Sequence, residues 1–208
     1  MTARVLLVDD HPLIRRGLQV TLDAEPGLEV VAVAGSGEEA LHILDRAAPD
    51  VALVDLSLPG MDGVELVRHL VARRPDLAVL AVSRFEDDLY AERVVAAGGR
   101  GFLSKVEAAD LVVEAVRAVL DGRLYLRDEI KDRLVLGGGP SDPLAQLSDR
   151  ELQVYGRVGQ GESAREIAEA LSLSVKTVET YRARIKDKLG LDSARALLRH
   201  AAQRAGGV

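Results

Sequence analysis

The first 121 residues alternate short apolar runs with segments of helical periodicity, and this alternation occurs five times. The apolar runs are rich in Val, Leu and Ala without polar alternation, which is typical of strands buried on both faces. The predicted strands are 5–8, 28–33, 51–56, 77–82 and 101–103, and the predicted helices are 12–25, 36–48, 63–74, 86–97 and 107–121. The pattern therefore predicts an α/β domain of the (βα)5 type, a doubly wound parallel sheet with right-handed crossovers.

Helix start signals agree with this division of the chain. Pro12 stands where a proline is tolerated in a first helical turn, and Asp62 can cap the third helix. Ser36 and Glu39 have the spacing of a capping box, in which each side chain bonds the other's backbone N–H. Three of the five predicted helices therefore have a local signal at their first residue.

The pattern weakens from residue 122 onward and ends in the cluster GGGPSDP, which is typical of a linker. One short helical stretch is predicted at about 128–136. Beyond the linker, four helical segments each follow a serine, and the first two serines again have a glutamate three residues later. We therefore predict an α/β domain at 1–121, a linker at 122–143 and a small all-α domain at 144–208.

The two predicted domains differ in charge. The whole chain has a formal net charge of −6, but residues 1–143 hold 16 Lys and Arg against 25 Asp and Glu, whereas residues 144–208 hold 11 against 8. An acidic and a mildly basic domain suggest different partners. The chain has no cysteine, the short apolar run at its start does not fit a signal peptide, and it holds no apolar run of transmembrane length. A cytoplasmic protein with no membrane partner is expected.

Polar side chains follow four of the five predicted strands. Asp9 and Asp10 come after the first strand, Asp55 after the third, Ser83 after the fourth and Lys105 after the fifth. Because the carboxyl ends of parallel strands meet at one edge, where ligands bind in such sheets, we expect these side chains to lie close together.

Three neighbouring carboxylates would repel one another unless a cation joined them. Mg²⁺ is the divalent ion that usually combines one or two carboxylates with waters and phosphate oxygens. A lysine and a hydroxyl group are suited to the oxygens of a phosphoryl group. The cluster therefore predicts a phosphoryl-transfer site in which a carboxylate is the nucleophile.

This set of residues resembles the receiver domains of two-component response regulators, which are flavodoxin-like. The resemblance implies that Asp55 is the phosphoacceptor and that a histidine kinase is the phosphodonor. It implies that Asp10, Asp55 and the carbonyl of Ser57 bind Mg²⁺ directly, with Asp9 acting mainly through water. A receiver takes up and loses its own phosphoryl group but turns over no external substrate, so the protein is not expected to be an enzyme.

The resemblance also assigns the groups that respond to phosphorylation. Ser83 and Lys105 would contact the phosphoryl group, and Phe102 would be the aromatic side chain that turns inward when they do. The chain departs from the receiver pattern at Arg84, where a small residue is common, at Gly99, where alanine is usual, and at Val106, where an acid is common. Arg84, a long cation next to Ser83, could alter how fast water or a phosphatase reaches the aspartyl phosphate.

The basic domain contains two capped helices around a short turn, at 163–171 and 175–189, as a helix-turn-helix requires. Val178, Ile185 and Leu189 share one face of the second helix and are predicted to point inward. Lys176, Arg182 and Lys186 would neutralise DNA phosphates, whereas Glu179, Thr180 and Ala183 could contact base edges. Thr177 completes the polar surface of this helix.

The segment SVKTVETYRARIKDKL and the preceding LSDRE resemble the LuxR-type helix-turn-helix, with Tyr181 where that pattern has histidine. Both halves together resemble the NarL/FixJ family of response regulators over nearly the whole chain. That resemblance implies binding to double-stranded DNA and a homodimer when the protein is phosphorylated or DNA-bound. It places a dimer contact on the last helix, through Ala194, Leu197, Leu198 and Ala201, although the same helix could instead pack on its own domain.

The sequence is also compatible with three other interpretations. A metal-dependent hydrolase with an aspartyl-phosphate intermediate would need an Asp-x-Asp pair after the first strand, whereas Asp9 and Asp10 are adjacent. The α/β domain could be a protein-binding module that works without phosphate. The helical domain could be an interaction module without DNA contacts, since its net charge of +3 is modest.

Overall fold

The computed structural model describes residues 2–83, 88–135 and 142–205. The five apolar runs form one parallel sheet with the strand order β2-β1-β3-β4-β5, so the predicted doubly wound fold is confirmed. The strands are β1 Ala3–Val8, β2 Leu28–Ala34, β3 Val51–Asp55, β4 Ala78–Ser83 and β5 Gly101–Ser104. The helices between and after them are α1 Pro12–Asp23, α2 Gly37–Ala47, α3 Gly63–Arg73, α4 Asp88–Ala96 and α5 Ala108–Leu120. Where the predicted boundaries fall on described residues, they differ from the observed ones by at most two residues. The predicted start of the fourth helix, at residue 86, lies outside the described residues.

Successive side chains of the central strands serve the two faces of the sheet alternately. Val5 and Leu7 of β1 pack under α1 and α5, whereas Leu6 and Val8 pack under α2, α3 and α4. All four side chains are buried, as a strand covered on both faces requires. The uninterrupted apolar runs of the sequence are thus explained by two hydrophobic cores that share one sheet.

Local caps fix several helix starts. Asp62 accepts hydrogen bonds from the backbone N–H groups of Val64 and Glu65, which confirms it as the cap of α3. Ser36 caps α2 through the N–H of Glu39, but the predicted capping box is incomplete. The carboxylate of Glu39 accepts from the N–H of Gly35, one residue before Ser36, because the chain entering α2 turns that group toward it.

Residues 122–135, predicted to be linker, pack on the α/β domain. Tyr125 pairs with the edge strand β5, since its N–H donates to the carbonyl of Arg100 and its carbonyl accepts from the N–H of Phe102. Helix α6, Asp128–Val135, buries Ile130 at 1% exposure and lies on α4. Leu126 and Ile130 supply apolar side chains to the core, so residues 122–135 pack as part of the α/β domain. Residues 136–141 of the predicted linker lie outside the described residues.

The C-terminal domain begins with a 3-10 turn, Pro143–Gln146, and contains four α-helices. These are α7 Asp149–Gly159, α8 Ala164–Ala170, α9 Val175–Leu189 and α10 Ala194–Ala205. Both predicted capping boxes, at the starts of α7 and α8, are confirmed. Gly159 lets α7 approach α10 closely, since a Cβ atom there would lie 2.6 Å from the carbonyl oxygen of Ala201.

Helix α7 also contacts the α/β domain. Arg93 of α4 donates to Asp149 at 2.6 Å and to the carbonyl of Leu147 at 2.6 Å. Arg68 of α3 donates to the second oxygen of the same carboxylate at 2.9 Å. The hydrophobic core around α3 and α4 continues into the helical domain. Among the described residues, no helix is both long and apolar enough to cross a membrane.

Candidate functional site

The acidic and basic residues predicted to converge do meet at the carboxyl edge of the sheet. Asp9 follows β1, Asp55 ends β3, Ser83 ends β4 and Lys105 follows β5. The sheet register pairs Asp55 with Val82, so Ser83 lies one residue further along the neighbouring strand. Asp9, Asp55 and Ser83 are at most 2% exposed. Parallel pairing of β1, β3, β4 and β5 thus gathers groups that are far apart in sequence.

Lys105 joins the two buried carboxylates. Its Nζ donates to Asp9 Oδ2 and to Asp55 Oδ2, both at 2.7 Å, and its side chain is 6% exposed. Such charge-assisted hydrogen bonds are strong, and they hold the acid oxygens toward one another. The lysine is therefore the fixed cation of the cluster.

The loops that carry these groups are held by their own hydrogen bonds. Ser104 and Glu107 exchange two bonds between side chain and backbone, on either side of Lys105. The backbone N–H of Ser57 donates to Asp55 Oδ1 at 2.9 Å. After Asp55, the chain passes so close to Gly63 that a Cβ atom there would lie 2.4 Å from the Cα of Leu56. Glycine at position 63 is therefore required by the loop that presents Asp55.

Burial raises the pKa of Asp55 above its usual value, and the Lys105 charge acts in the opposite direction. The negative charge of Asp9 raises the pKa of Asp55 further. A cation bound at this edge would oppose both influences, because it would stabilise the ionised carboxylate. The site is thus arranged so that the ionised state of Asp55 depends on neighbouring positive charge.

The residues present fit a divalent metal ion. Asp9, Asp10, His11 and Asp55 each offer one ligand atom, and these atoms all lie within 4.8 Å of one another. One oxygen of Asp10 and the nitrogen Nδ1 of His11 are buried and lie 2.5 Å apart. Carboxylate oxygens are the ligands that hard divalent cations prefer. His11 was not singled out in the sequence, although its place directly after the acid pair was a signal for it.

The other predicted site residues lie as follows. Ser57 is 1% exposed, and Phe102 is 8% exposed within the core on the α2, α3 and α4 face. Arg84, which the sequence suggested could influence the phosphate lifetime, lies outside the described residues. Close packing explains why position 99 has glycine where receivers usually have alanine, because a Cβ atom there would lie 2.5 Å from a methyl carbon of Val94.

Helix α9 has the two-sided character predicted for it. Val178 and Ile185 are fully buried and Leu189 packs against the same core, so the predicted inward face is confirmed. All seven side chains predicted to contact DNA are exposed or half-buried. They are Lys176, Thr177, Glu179, Thr180, Arg182, Ala183 and Lys186. Arg182 contacts Glu179 at 3.1 Å, so these two opposite charges lie together on the helix surface. Docking of α7 leaves this face of α9 open.

Of the four residues of the last helix that were predicted to form a dimer contact, two are buried and two are exposed. Leu197 and Ala201 are at most 1% exposed and pack on α7 within their own domain, which removes them from any surface that a second copy could contact. Ala194 is exposed, and Leu198 is 42% exposed. The apolar stripe of α10 therefore serves mainly the domain's own core, and only Ala194 and Leu198 remain from the predicted dimer surface.

The contacts between α7 and the loop after Asp55 were not predicted. The side-chain amide of Gln153 donates to the carbonyl of Leu56 at 2.5 Å, one residue after Asp55. Arg150 donates to the carbonyls of Leu58 and Gly60 in the same loop. Gln153 is 2% exposed. The helical domain thus touches the backbone that presents the candidate acceptor.

A (βα)5 sheet with an acid pair, a buried aspartate, a serine and a lysine at one edge, joined to a helix-turn-helix domain, defines the class of response regulators. Residues 5–117 match the response regulator receiver domain, and residues 145–201 match the luxR family of bacterial regulatory proteins. The chain belongs to the NarL/FixJ family of two-component response regulators, and it is a transcription regulator with a LuxR-type DNA-binding domain.

Individual relatives are similar over most of the chain. Response regulator GacA of Pseudomonas viridiflava is 38% identical over 194 residues, which cover 91% of each protein. Response regulator UvrY of Escherichia coli is 37% identical over 191 residues, covering 90% of this chain and 88% of UvrY. A solved structure of the RcsB response regulator of Salmonella typhimurium has the same fold, with a TM-score of 0.72, 24% identity and 98% of each chain covered.

Proposed function

We propose that Asp55 accepts a phosphoryl group from a partner histidine kinase and that this modification controls the binding of α9 to double-stranded DNA. The observation that carries the proposal is the position of Lys105 Nζ, 2.7 Å from the carboxylates of both Asp9 and Asp55. A buried carboxylate with an adjacent fixed cation and further acids is suited to phosphoryl transfer, which depends on positioning and charge neutralisation.

In the proposed reaction, an Asp55 oxygen attacks the phosphorus of a phosphohistidine. The new O–P bond forms as the P–N bond breaks, and the electron pair of the P–N bond returns to the histidine nitrogen of the kinase. Lys105 neutralises charge on the phosphoryl oxygens, and Ser83 offers them a hydroxyl donor. Asp10, Asp55 and the carbonyl of Ser57, with Asp9 through water, would hold Mg²⁺, which supplies electrostatic stabilisation of those oxygens when bound.

Incorporation of phosphate from acetyl phosphate tests the acceptor. The wild-type protein with Mg²⁺ should show one phosphorylated species on a phosphate-affinity gel, and Asp55→Asn should show none. The matched control is Asp45→Asn, because Asp45 is an exposed aspartate on α2 of the same domain. Equal labelling of Asp55→Asn and wild type would overturn the assignment.

The proposed switch acts through the docking of α7. Phosphorylation adds roughly two negative charges beside the loop whose carbonyls accept from Gln153 and Arg150. Closure of Ser83 and Lys105 on the phosphoryl group would change this loop and the α4 surface that holds Asp149 through Arg93. The helical domain would then be released to dimerise, and two copies of α9 would contact half-sites about one helical turn apart.

Of the four predicted dimer residues on α10, Ala194 and Leu198 are exposed, and a homodimer could use them. The match to the receiver domain supports a protein that takes up and loses its own phosphoryl group and turns over no external substrate. Double-stranded DNA and a kinase as phosphodonor also favour a cytoplasmic location.

A further inference from the structure

The polar face of α9 carries a carboxylate among its cations. Glu179 is the fifth residue of the helix and the only acid among residues 175–186, and its side chain is 56% exposed. Lys176 and Lys186, which are predicted to contact DNA phosphates, lie on the same helix. DNA phosphates repel a carboxylate, so Glu179 is suited to a hydrogen-bond donor on DNA that is not part of the backbone.

Arg182 holds this carboxylate in place. Its Nη1 donates to Glu179 Oε1 at 3.1 Å from a side chain that is 21% exposed, so the arginine is better buried than its partner. The bond occupies Oε1 and leaves Oε2 of the exposed carboxylate available to a further donor. The positive charge of Arg182 also offsets part of the repulsion between Glu179 and DNA phosphates.

The other two side chains predicted to contact base edges have little to offer as hydrogen-bonding groups. The hydroxyl of Thr180 donates to the carbonyl of Lys176 at 2.9 Å, so its proton is used within the helix. Ala183 presents only a methyl group. Of the three predicted base-contacting residues, Glu179 is therefore the one with a strong hydrogen-bonding group turned to solvent.

The chemistry of a carboxylate restricts which base it can contact. An ionised carboxylate only accepts hydrogen bonds, and the donors in the major groove are N4 of cytosine and N6 of adenine. Adenine also presents the acceptor N7 beside N6, where it would face a carboxylate oxygen, whereas guanine and thymine present acceptors there. Cytosine is therefore the base whose major-groove edge best suits Glu179.

We propose that Glu179, held by Arg182, accepts a hydrogen bond from N4 of a cytosine in each half-site, so that the protein selects a C·G pair at that position. Arg182 then acts as a positioning residue for Glu179, in place of the phosphate contact that the sequence suggested for it. The inference rests on the proposed binding of α9 to double-stranded DNA, and it names a feature of the DNA that this helix selects.

Selection of binding sites from a random double-stranded DNA library, with the full chain treated with acetyl phosphate and Mg²⁺, tests the proposal. The wild-type protein should enrich cytosine at one fixed position of each half-site. Glu179→Gln should enrich adenine there, because the glutamine amide both donates to N7 and accepts from N6 of adenine. The ratio of the affinities for the two bases should change by about ten-fold or more. The same base in both proteins would overturn the proposal.

Asp187→Asn is the matched control for the lost charge. Asp187 is also exposed on α9, but it lies eight residues closer to the C-terminus, whereas base contacts come from the N-terminal part of such a helix. This variant should select the wild-type motif. A change from cytosine to adenine in Asp187→Asn would contradict the assignment to Glu179.

Arg182→Met separates positioning from phosphate contact. The variant should lose at least about half of the preference for cytosine, because the carboxylate is no longer held, while the slope of log affinity against log salt concentration stays as in wild type. A slope lowered by about 1 with an unchanged base preference would show that Arg182 contacts a phosphate and would overturn its positioning role.

The same selection distinguishes failure of this inference from failure of the proposed function. A motif that is enriched by the wild-type protein and unchanged in Glu179→Gln would overturn the role of Glu179 and leave the proposed DNA binding standing. A wild-type protein that takes up phosphate and enriches no motif would overturn both.

Discussion

The acid cluster and helix α9 both concentrate charged side chains, but they do so in opposite ways. At the sheet edge, Asp9, Asp55 and Lys105 are buried and come from three separate strand ends. On α9, Lys176, Glu179 and their neighbours come from one continuous helix and face solvent. The first arrangement depends on the sheet, and the second depends only on helical periodicity.

The difference has an energetic consequence. Removing one partner of a buried ion pair leaves an uncompensated charge and typically costs about 3–5 kcal/mol. An exposed pair is worth about 0–1 kcal/mol, since water and salt screen it. Substitutions in the cluster should therefore affect stability strongly, whereas substitutions on α9 should affect DNA binding with little effect on stability.

Lys105→Met should show the largest effect. It leaves Asp9 and Asp55 without their shared cation, so the free energy of unfolding should fall by about 3 kcal/mol or more in metal-free buffer. Added Mg²⁺ should restore part of the loss, because it would supply positive charge at the same carboxylates. The matched control is Lys131→Met on α6, which breaks an exposed pair with Asp128 and should cost no more than about 1 kcal/mol. Urea denaturation measures the free energy of unfolding of both variants. Equal small losses in the two variants would contradict the expected difference between the buried and the exposed ion pair.

Asp62 is a buried carboxylate whose contribution to the stability of the protein should depend on pH. Burial, followed by the nearby charge of Asp149, raises the pKa of Asp62 from 3.8 to about 6. The folded protein then binds a proton more tightly than the unfolded chain, so stability should fall as the pH rises from about 4 to about 6. At about 1.4 kcal/mol per pKa unit, the fall is at most about 3 kcal/mol.

Asp62→Asn tests this expectation, because asparagine keeps an oxygen for the α3 cap but carries no charge. The variant should gain stability relative to wild type at pH 7.5 and lose that advantage at pH 4.5, as measured by urea denaturation at both values. Asp45→Asn is the exposed control and should follow the wild type. A constant difference between Asp62→Asn and wild type across this range would count against the raised pKa.

The contact between the two domains should show an intermediate effect. Arg93→Met removes the bonds to Asp149 and to the Leu147 carbonyl, which should weaken docking of α7 by about 1–3 kcal/mol. The radius of gyration from small-angle scattering should increase, and DNA affinity without phosphorylation should rise. Arg73→Met is the control, since Arg73 bonds the carbonyl of Leu41 within the α/β domain. An unchanged radius of gyration in Arg93→Met would show that this contact does not hold the helical domain on the α/β domain.

Single substitutions on α9 should have the smallest effects. Lys186→Ala should lower the slope of log affinity against log salt concentration by about 1 and weaken binding nearly equally for all DNA sequences. Fluorescence anisotropy over a salt series measures the slope. Arg16→Ala, an exposed cation on α1, should leave the slope unchanged. An unchanged slope in Lys186→Ala would remove that residue from the phosphate-contacting set.

The positions of the strands, the helix caps at Asp62, Ser148 and Ser163, and the inward face of α9 were all predictable from the sequence. Each depends on a few neighbouring residues, because apolar periodicity and capping are local. The packing of α6 on the α/β domain was not predicted, since Ile130 is buried against α4 and no local signal distinguishes that from an exposed helix in a linker.

Strand and helix periodicity fix the order in which side chains are presented, so the chemical groups at the strand ends and on the polar face of α9 follow from local sequence. Long-range packing is what makes Lys105 bridge Asp9 and Asp55, turns His11 toward the acids, and brings Gln153 to the loop after Asp55. Those contacts join residues as many as 97 positions apart. Their distances follow from how the sheet and two domains pack, which no local pattern encodes.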